Sequence, residues 1–216
     1  MSYSYVALGD SLSAGVGSSI FSPGFVHRFR RMAERELEDH VLVHVFARPG
    51  AETKDVLNDL HQDFIKEKVR EADIITITAG TNDLIIAVRK YQTDNDLQAL
   101  KKSFHECKEN FSAIMNLIHE LKKSDIRPFV IRLFHLYNPF PKEDLAIKWV
   151  KHFNHHLKGL AKDYHVSIVE INKVFNEYEA EYLSIDRIHP NDIGHEQMAE
   201  RLHRLGYGEL TFEEEE

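Results

Sequence analysis

A hydroxyl, an imidazole and a carboxylate stand in this sequence where short loops can aim them at a common partner. Gly9-Asp10-Ser11-Leu12-Ser13 follows at once on the apolar run 3–8, with Gly15 and Gly17 just beyond. A small, flexible loop after a strand lifts a side chain clear of the sheet, within a ligand's reach. Far downstream lies Asp186-Arg187-Ile188-His189-Pro190-Asn191. Imidazole titrates near neutrality and accepts a proton from a hydroxyl, and an acid beside it fixes the ring. Together these residue types serve nucleophilic serine chemistry on acyl groups. Singly they do less: a serine after a strand also caps helices, and a lone histidine is most often structural.

Two further loops carry polar donors. Ala79-Gly80-Thr81-Asn82-Asp83-Leu84 offers the Asn82 amide, and Arg48-Pro49-Gly50-Ala51-Glu52-Thr53 offers the backbone N–H of Gly50. Asparagine and glycine are also ordinary turn residues, so each loop alone has a plain structural reading. Asp10 neighbours Ser11, but adjacent strand-end side chains diverge. It is expected to fix the loop by accepting backbone hydrogen bonds, and Asp83 is likewise expected to be structural.

The elements that must position these loops show in the pattern. Runs 3–8, 41–46, 74–78, 127–132 and 166–170 are rich in Val, Ile and Phe and predict strands. A helix is expected over 25–37, entered at Ser22-Pro23, and a broken one over 53–70. Over 96–123, Leu97, Leu100, Phe104, Cys107, Phe111, Ile114, Ile118 and Leu121 alternate steps of three and four, which places them on one helical face. Ala146, Val150, Phe153, Leu157, Leu160 and Tyr164 repeat that pattern, and a last helix covers about 192–204. Strands alternating with helices predict βαβ units, a mainly parallel sheet and helices on both faces. In such a sheet ligands bind beyond the carboxyl ends of the strands, where all four loops fall.

Bulk properties bound the partners. The 216 residues carry 27 Lys+Arg against 35 Asp+Glu, a formal charge of −8, which disfavours a general nucleic-acid binder or a binder of anionic membranes. The one cysteine, Cys107, allows no internal disulfide and is expected in the core. The first residues show no basic, apolar leader, and no run approaches a membrane span, so no stable membrane insertion and a cytoplasmic location are expected. Residues 1–210 read as a single domain and 211–216 as an acidic tail. His152 and His156 lie one helical turn apart, a spacing that can hold a metal, but no third ligand is evident and no metal is expected.

Three blocks taken together are specific. Gly9-Asp10-Ser11-Leu12, Gly80-Thr81-Asn82-Asp83 and Asp186-x-x-His189-Pro190-Asn191-x-x-Gly194-His195 resemble, in order, the first, third and last blocks of the GDSL (SGNH) esterase/lipase family. The resemblance spans nearly the whole chain. It implies a three-layer α/β/α sandwich of flavodoxin-like type with a five-stranded sheet, and hydrolysis of esters or thioesters without a cofactor. It places the nucleophile on Ser11, the base on His189 and the acid on Asp186. It places oxyanion donors on the N–H of Ser11, the N–H of Gly50 and the side chain of Asn82. The family's second block departs here: the Asn and Gly usual shortly before the donor glycine are Val45 and Ala47, so its supporting turn must be built differently.

Substrate choice rests on apolar residues near these loops. Ile85, Phe134, Tyr137 and Ile188, with Ile86, Val88 and Phe140, are candidates to line an acyl groove, although they would equally pack the loops onto the core. A groove would favour fatty-acyl esters, lysophospholipids or acyl thioesters. A carbohydrate O-acetylesterase and a non-catalytic acyl-binding relative are the alternatives. A nucleotide site is disfavoured, because the first loop lacks the Gly-x-Gly-x-x-Gly spacing and no Gly-Lys-Ser/Thr occurs.

Overall fold

The computed structural model describes residues 2–211. Each β-rich run forms a strand: β1 (Tyr3–Gly9), β2 (Val41–Ala47), β3 (Ile74–Thr78), β4 (Val130–Phe134) and β5 (Val166–Val169). They pair in parallel in the order β2-β1-β3-β4-β5. β3 and β4 are buried at every residue, Thr76, Thr78 and Arg132 included, as strands covered on both faces are. The order reverses between β1 and β3, and the crevice at such a switch point is where doubly wound sheets bind ligands.

Helices cover both faces. On one lie α2 (Thr53–Leu60), α3 (Asp63–Glu71), α4 (Thr81–Asp94), α5 (Leu97–Lys122) and α6 (Asp144–Leu160), over a core built around Ile75, Ile77, Phe111, Ile114 and Phe153. On the other, α1 (Phe25–Glu36) and α9 (Asp192–His203) cover Tyr5, Ala7 and Phe134, with α7 (Asn172–Glu177) and α8 (Glu179–Tyr182) in the connection after β5. The three-layer α/β/α sandwich and its five-stranded parallel sheet are therefore present. A short 3₁₀ turn, Gly208–Thr211, ends the described chain, so Thr211 is folded, and the expected acidic run Glu213–Glu216 lies outside the described residues.

Several boundaries differ from expectation for local reasons. β4 starts three residues late, because Asp125 draws the Arg127 backbone and guanidinium into a turn at 3.0–3.1 Å and Pro128 has no N–H to give the ladder. α1 is capped at Gly24, not Ser22-Pro23: the Ser22 hydroxyl and the Pro23 carbonyl instead accept from the Arg28 guanidinium. α6 stops before Tyr164, which is exposed against His165. On α5 the stripe packs as expected except that Leu97 is exposed; Asp96 caps the helix by accepting from Gln98 N and Ala99 N.

Candidate active site

The loop after β1 is held from below by one buried network. Thr78, the last residue of β3, gives its Oγ1 proton to Asp10 Oδ1 at 2.9 Å and lies 2.9 Å from Ser13 Oγ. Asp10 Oδ1 also accepts from Leu12 N at 3.0 Å, the loop-fixing role expected of it. Burial pushes the Asp10 carboxyl up to about 6, although these hydrogen bonds oppose the shift. Val16 N bonds to Ser11 O at 2.9 Å and Ala14 N to Asp10 O at 3.1 Å, closing a tight turn that presents Ser11 beside the β1/β3 switch point.

The loop from 183 to 190 is rigid for a different reason. Leu183 and Pro190 pair as an antiparallel bridge, and Ser184 N donates to His189 O at 2.8 Å. Inside it, Asp186 Oδ1 accepts from Ser184 Oγ, Ile188 N and His189 N at 2.8–3.0 Å. Partial burial raises the Asp186 carboxyl, but the His189 and Ile188 amides, the His189 ring and the Ser184 hydroxyl outweigh it and hold the group well below the usual carboxylate range. Asp186 is thus an acceptor only. At 2.6 Å its Oδ2 takes the Nδ1 proton of His189, which leaves Nε2 a bare lone pair. Nε2 faces Ser11 Oγ at 3.0 Å. Residues 178 positions apart meet in a hydroxyl–imidazole–carboxylate relay.

Gly17 makes that approach possible. It has φ +95°, and a Cβ there would stand 2.1 Å from the Pro190 carbonyl oxygen and 3.0 Å from His189 Cβ. Only glycine lets the two loops come this close. His195 adds a second tie. It is fully buried, accepts from Phe25 N at Nδ1 (3.2 Å) and donates from Nε2 to Val16 O (3.0 Å). Burial drives its pKa down to about 4, with the bond to Val16 opposing, so the ring is held neutral.

The two donor loops reach the same crevice. Arg48-Pro49-Gly50-Ala51 is a turn closed by Ala51 N to Arg48 O at 3.3 Å, with φ +80° at Gly50; proline second and glycine third is the residue order such a turn prefers. This is how the supporting turn is built without the family's usual Asn and Gly. Arg48 N donates to Gly9 O at 3.3 Å, which docks the turn on the end of β1. Asn82 lies in the first turn of α4, not in a loop as expected, and one of its Nδ2 protons goes to Ala51 O at 2.9 Å. The other proton is left over, and no acceptor among the described residues takes the N–H of Ser11 or of Gly50. Asp83 faces away, accepting from Thr53 N and Oγ1 at 3.0 and 2.7 Å, and so pins the start of α2.

The expected acyl-lining residues divide. Ile85 lies one turn after Asn82 on the same side of α4, buried but outside both core clusters, and Ile188 is half-buried beside His189. Phe134 belongs to the core instead, packed on Phe25 with ring centroids 4.8 Å apart. Tyr137 is also core: it stacks on Phe175, and its hydroxyl donates to the Ile188 carbonyl, bracing the His189 loop. Ile20, Phe21 and Ile185, which no sequence pattern marks, are fully exposed on the loops that follow Gly17 and precede Asp186. Isolated apolar residues in loops carry no period, so only the structure shows that they are exposed.

Among the described residues no cluster of three or more His, Cys, Asp or Glu is placed to hold a metal. His156 turns toward α5, near Ser112 Oγ at 3.1 Å and Lys108 O at 3.2 Å. No helix among the described residues is long and apolar enough to cross a membrane.

Comparison with known proteins shows the family and agrees with the fold. The model of the GDSL-like lipase/acylhydrolase family matches residues 7–197. A spore germination lipase, LipC, of Bacillus licheniformis is 42% identical over 97% of this chain and 99% of its own. The crystal structure of a lipase from goat rumen metagenome, Lip_vut3, superposes with a TM-score of 0.90 at 42% identity, covering 96% of this chain and 99% of that one. An acetylxylan esterase from Geobacillus stearothermophilus shares the fold at 20% identity, with a TM-score of 0.69 over 98% of this chain and 95% of that one. The chain belongs to the GDSL-like lipase/acylhydrolase family and is a carboxylic ester hydrolase.

Proposed function

We propose that the protein cleaves carboxylic esters of small to medium acyl chains, lysophospholipids among them, through Ser11, His189 and Asp186 and an acyl-enzyme. The observation that carries this reading is the continuous relay from Asp186 Oδ2 through His189 to Ser11 Oγ. His189 Nε2 takes the Ser11 proton as Oγ attacks the acyl carbonyl, and Asp186 stabilises the imidazolium that forms. The carbonyl oxygen, now negative, is met by the N–H groups of Ser11 and Gly50 and the spare amide proton of Asn82. The imidazolium then protonates the departing alkoxide. Water, activated by the same ring, attacks the acyl-enzyme and releases the acid.

Apolar surface around the relay favours an acyl chain over an acetylated sugar. Ile85 and Ile188 are set to touch the chain near the carbonyl, and Ile20, Phe21 and Ile185 offer exposed carbon farther out. The test is hydrolysis of p-nitrophenyl esters from acetate to palmitate, beside a lysophospholipid and an acyl-CoA. The expected optimum is at a chain longer than acetate, and it should shift when Ile188 is made Ser. Turnover confined to acetyl esters would turn the assignment to the carbohydrate esterase alternative.

A further inference from the structure

Gly50 and Asn82 reach the crevice from strands that do not touch. β1 lies between β2 and β3, so the two donor segments rise from roots two strand spacings, about 10 Å, apart. Donors that share one oxyanion must both come within about 3 Å of it. The sheet's ladders join β1 to each neighbour but not β2 to β3, so the segments must be drawn together above β1 by contacts of their own.

Among the described residues three side-chain hydrogen bonds do this, all between 51–53 and 82–83. Asn82 Nδ2 donates to Ala51 O at 2.9 Å. Thr53 N donates to Asp83 Oδ2 at 3.0 Å, and Thr53 Oγ1 donates to Asp83 Oδ1 at 2.7 Å. The bonds that hold the Gly50 turn on its own side, Ala51 N to Arg48 O and Arg48 N to Gly9 O, are both longer, at 3.3 Å. Asp83 stands in the first turn of α4 and Thr53 is the first residue of α2, so one carboxylate joins the starts of two helices. It meets an N–H that has no partner inside its own helix, where negative charge is favoured. The pair is closed in from α5: Asn110 Nδ2 donates to Thr53 Oγ1 at 3.3 Å, and the Cys107 thiol one turn earlier is pushed well above its ordinary pKa, by burial first and then by the Asp83 charge. With Thr53 fully buried and Asp83 8% exposed, water competes little for these bonds.

We propose that Asp83 and Thr53 are positioning residues of the esterase: their paired hydrogen bonds set the spacing between the Gly50 N–H and the Asn82 amide, and so the fit of the oxyanion between the two donors. Neither side chain touches the substrate. Their role rests on the oxyanion reading above, which the same experiment tests apart.

Thr53→Val removes one hydroxyl at nearly constant shape and leaves the Thr53 N–H bond in place. Asp83→Asn keeps both bonds, because its carbonyl accepts from Thr53 N and its amide donates to Thr53 Oγ1, whereas Asp83→Ala keeps neither. The assay is kcat and KM on a p-nitrophenyl ester, with kcat counted per Ser11 that reacts with a fluorophosphonate, so that unfolded protein drops out. Thr53→Val should lower kcat about tenfold and Asp83→Ala at least as much, each with KM within about twofold of wild type, while Asp83→Asn restores kcat to within about threefold. In an Asn82→Ala background Gly50 stays docked on β1 through Arg48 and has no partner left to be spaced from, so Thr53→Val should there cost no more than about twofold. An equal loss in both backgrounds would overturn the positioning role, as would kcat unchanged by Thr53→Val and Asp83→Ala when Asn82→Ala is slow; either result leaves the oxyanion reading standing. Full turnover by Asn82→Ala would overturn both.

Discussion

Gly17→Ala separates the closeness of the two loops from every direct contact with substrate. The added methyl would stand 2.1 Å from the Pro190 carbonyl oxygen, in a backbone conformation with φ +95° that side chains rarely adopt. To restore an ordinary carbon–oxygen contact the His189–Pro190 turn must withdraw by about 1 Å. The Ser11–His189 hydrogen bond, now 3.0 Å, then passes out of reach. A misplacement of about 1 Å costs on the order of 10²-fold in rate. The strained backbone adds about 1–3 kcal/mol of destabilisation, and a domain of this size loses roughly 2–4 °C of Tm per kcal/mol. The assay is kcat on a p-nitrophenyl ester beside a thermal melt, with Gly159→Ala as control. A Cβ at Gly159 meets nothing within 4 Å, and that helical site should gain stability at unchanged kcat. The expectation for Gly17→Ala is kcat down about 10²-fold in a protein still folded at 25 °C. Wild-type kcat would refute the idea that this close approach sets the relay.

Three further outcomes are expected. Asn82→Ala should lower kcat by roughly 10²–10³ while its melt falls only a few degrees, since the bond lost to Ala51 O is worth about 1 kcal/mol; full turnover would remove Asn82 from the oxyanion site. Folding stability should fall on acidification through His195. Its folded-state pKa of about 4 lies below the ordinary 6.5, so stability from the neutral ring is whole above pH 6.5 and is lost as pH drops toward 4. The loss is about 3 kcal/mol, and urea melts of His195→Gln should lack that share of the slope between these pH values. Asp10→Asn keeps the acceptor for Leu12 N and Thr78 Oγ1 while removing a buried charge. Urea melts at pH 8 should show it at least as stable as wild type, and a marked loss would mean that the charge itself holds the loop.

Where the chain's chemistry was legible, it was because local pattern and tertiary demand coincide. β1 and β3 are short, largely apolar runs closed by glycine or threonine, and the Ser11, Asn82 and His189 segments follow strands or open helices as the motifs require. α4 was hidden because Thr81, Asp83, Leu84, Ile85, Ala87 and Val88 are all buried; burial on several sides erases the 3.6-residue period. α7 and α8 are too short to show any period. Phe134 and Tyr137 resemble groove residues in sequence, since an aromatic after a strand looks the same whether it points into the core or out of it. The Gly17 contact with Pro190 arises between segments far apart in the chain, and no local pattern encodes it.

The relay itself is tested most directly by covalent labelling with a fluorophosphonate, followed by peptide mapping and ester turnover on the same samples. One adduct per chain on Ser11 is expected, absent from Ser11→Ala and formed far more slowly in His189→Ala, with hydrolysis lost in parallel. An adduct on another residue, or a Ser11→Ala protein that still turns over esters at the wild-type rate, would contradict it.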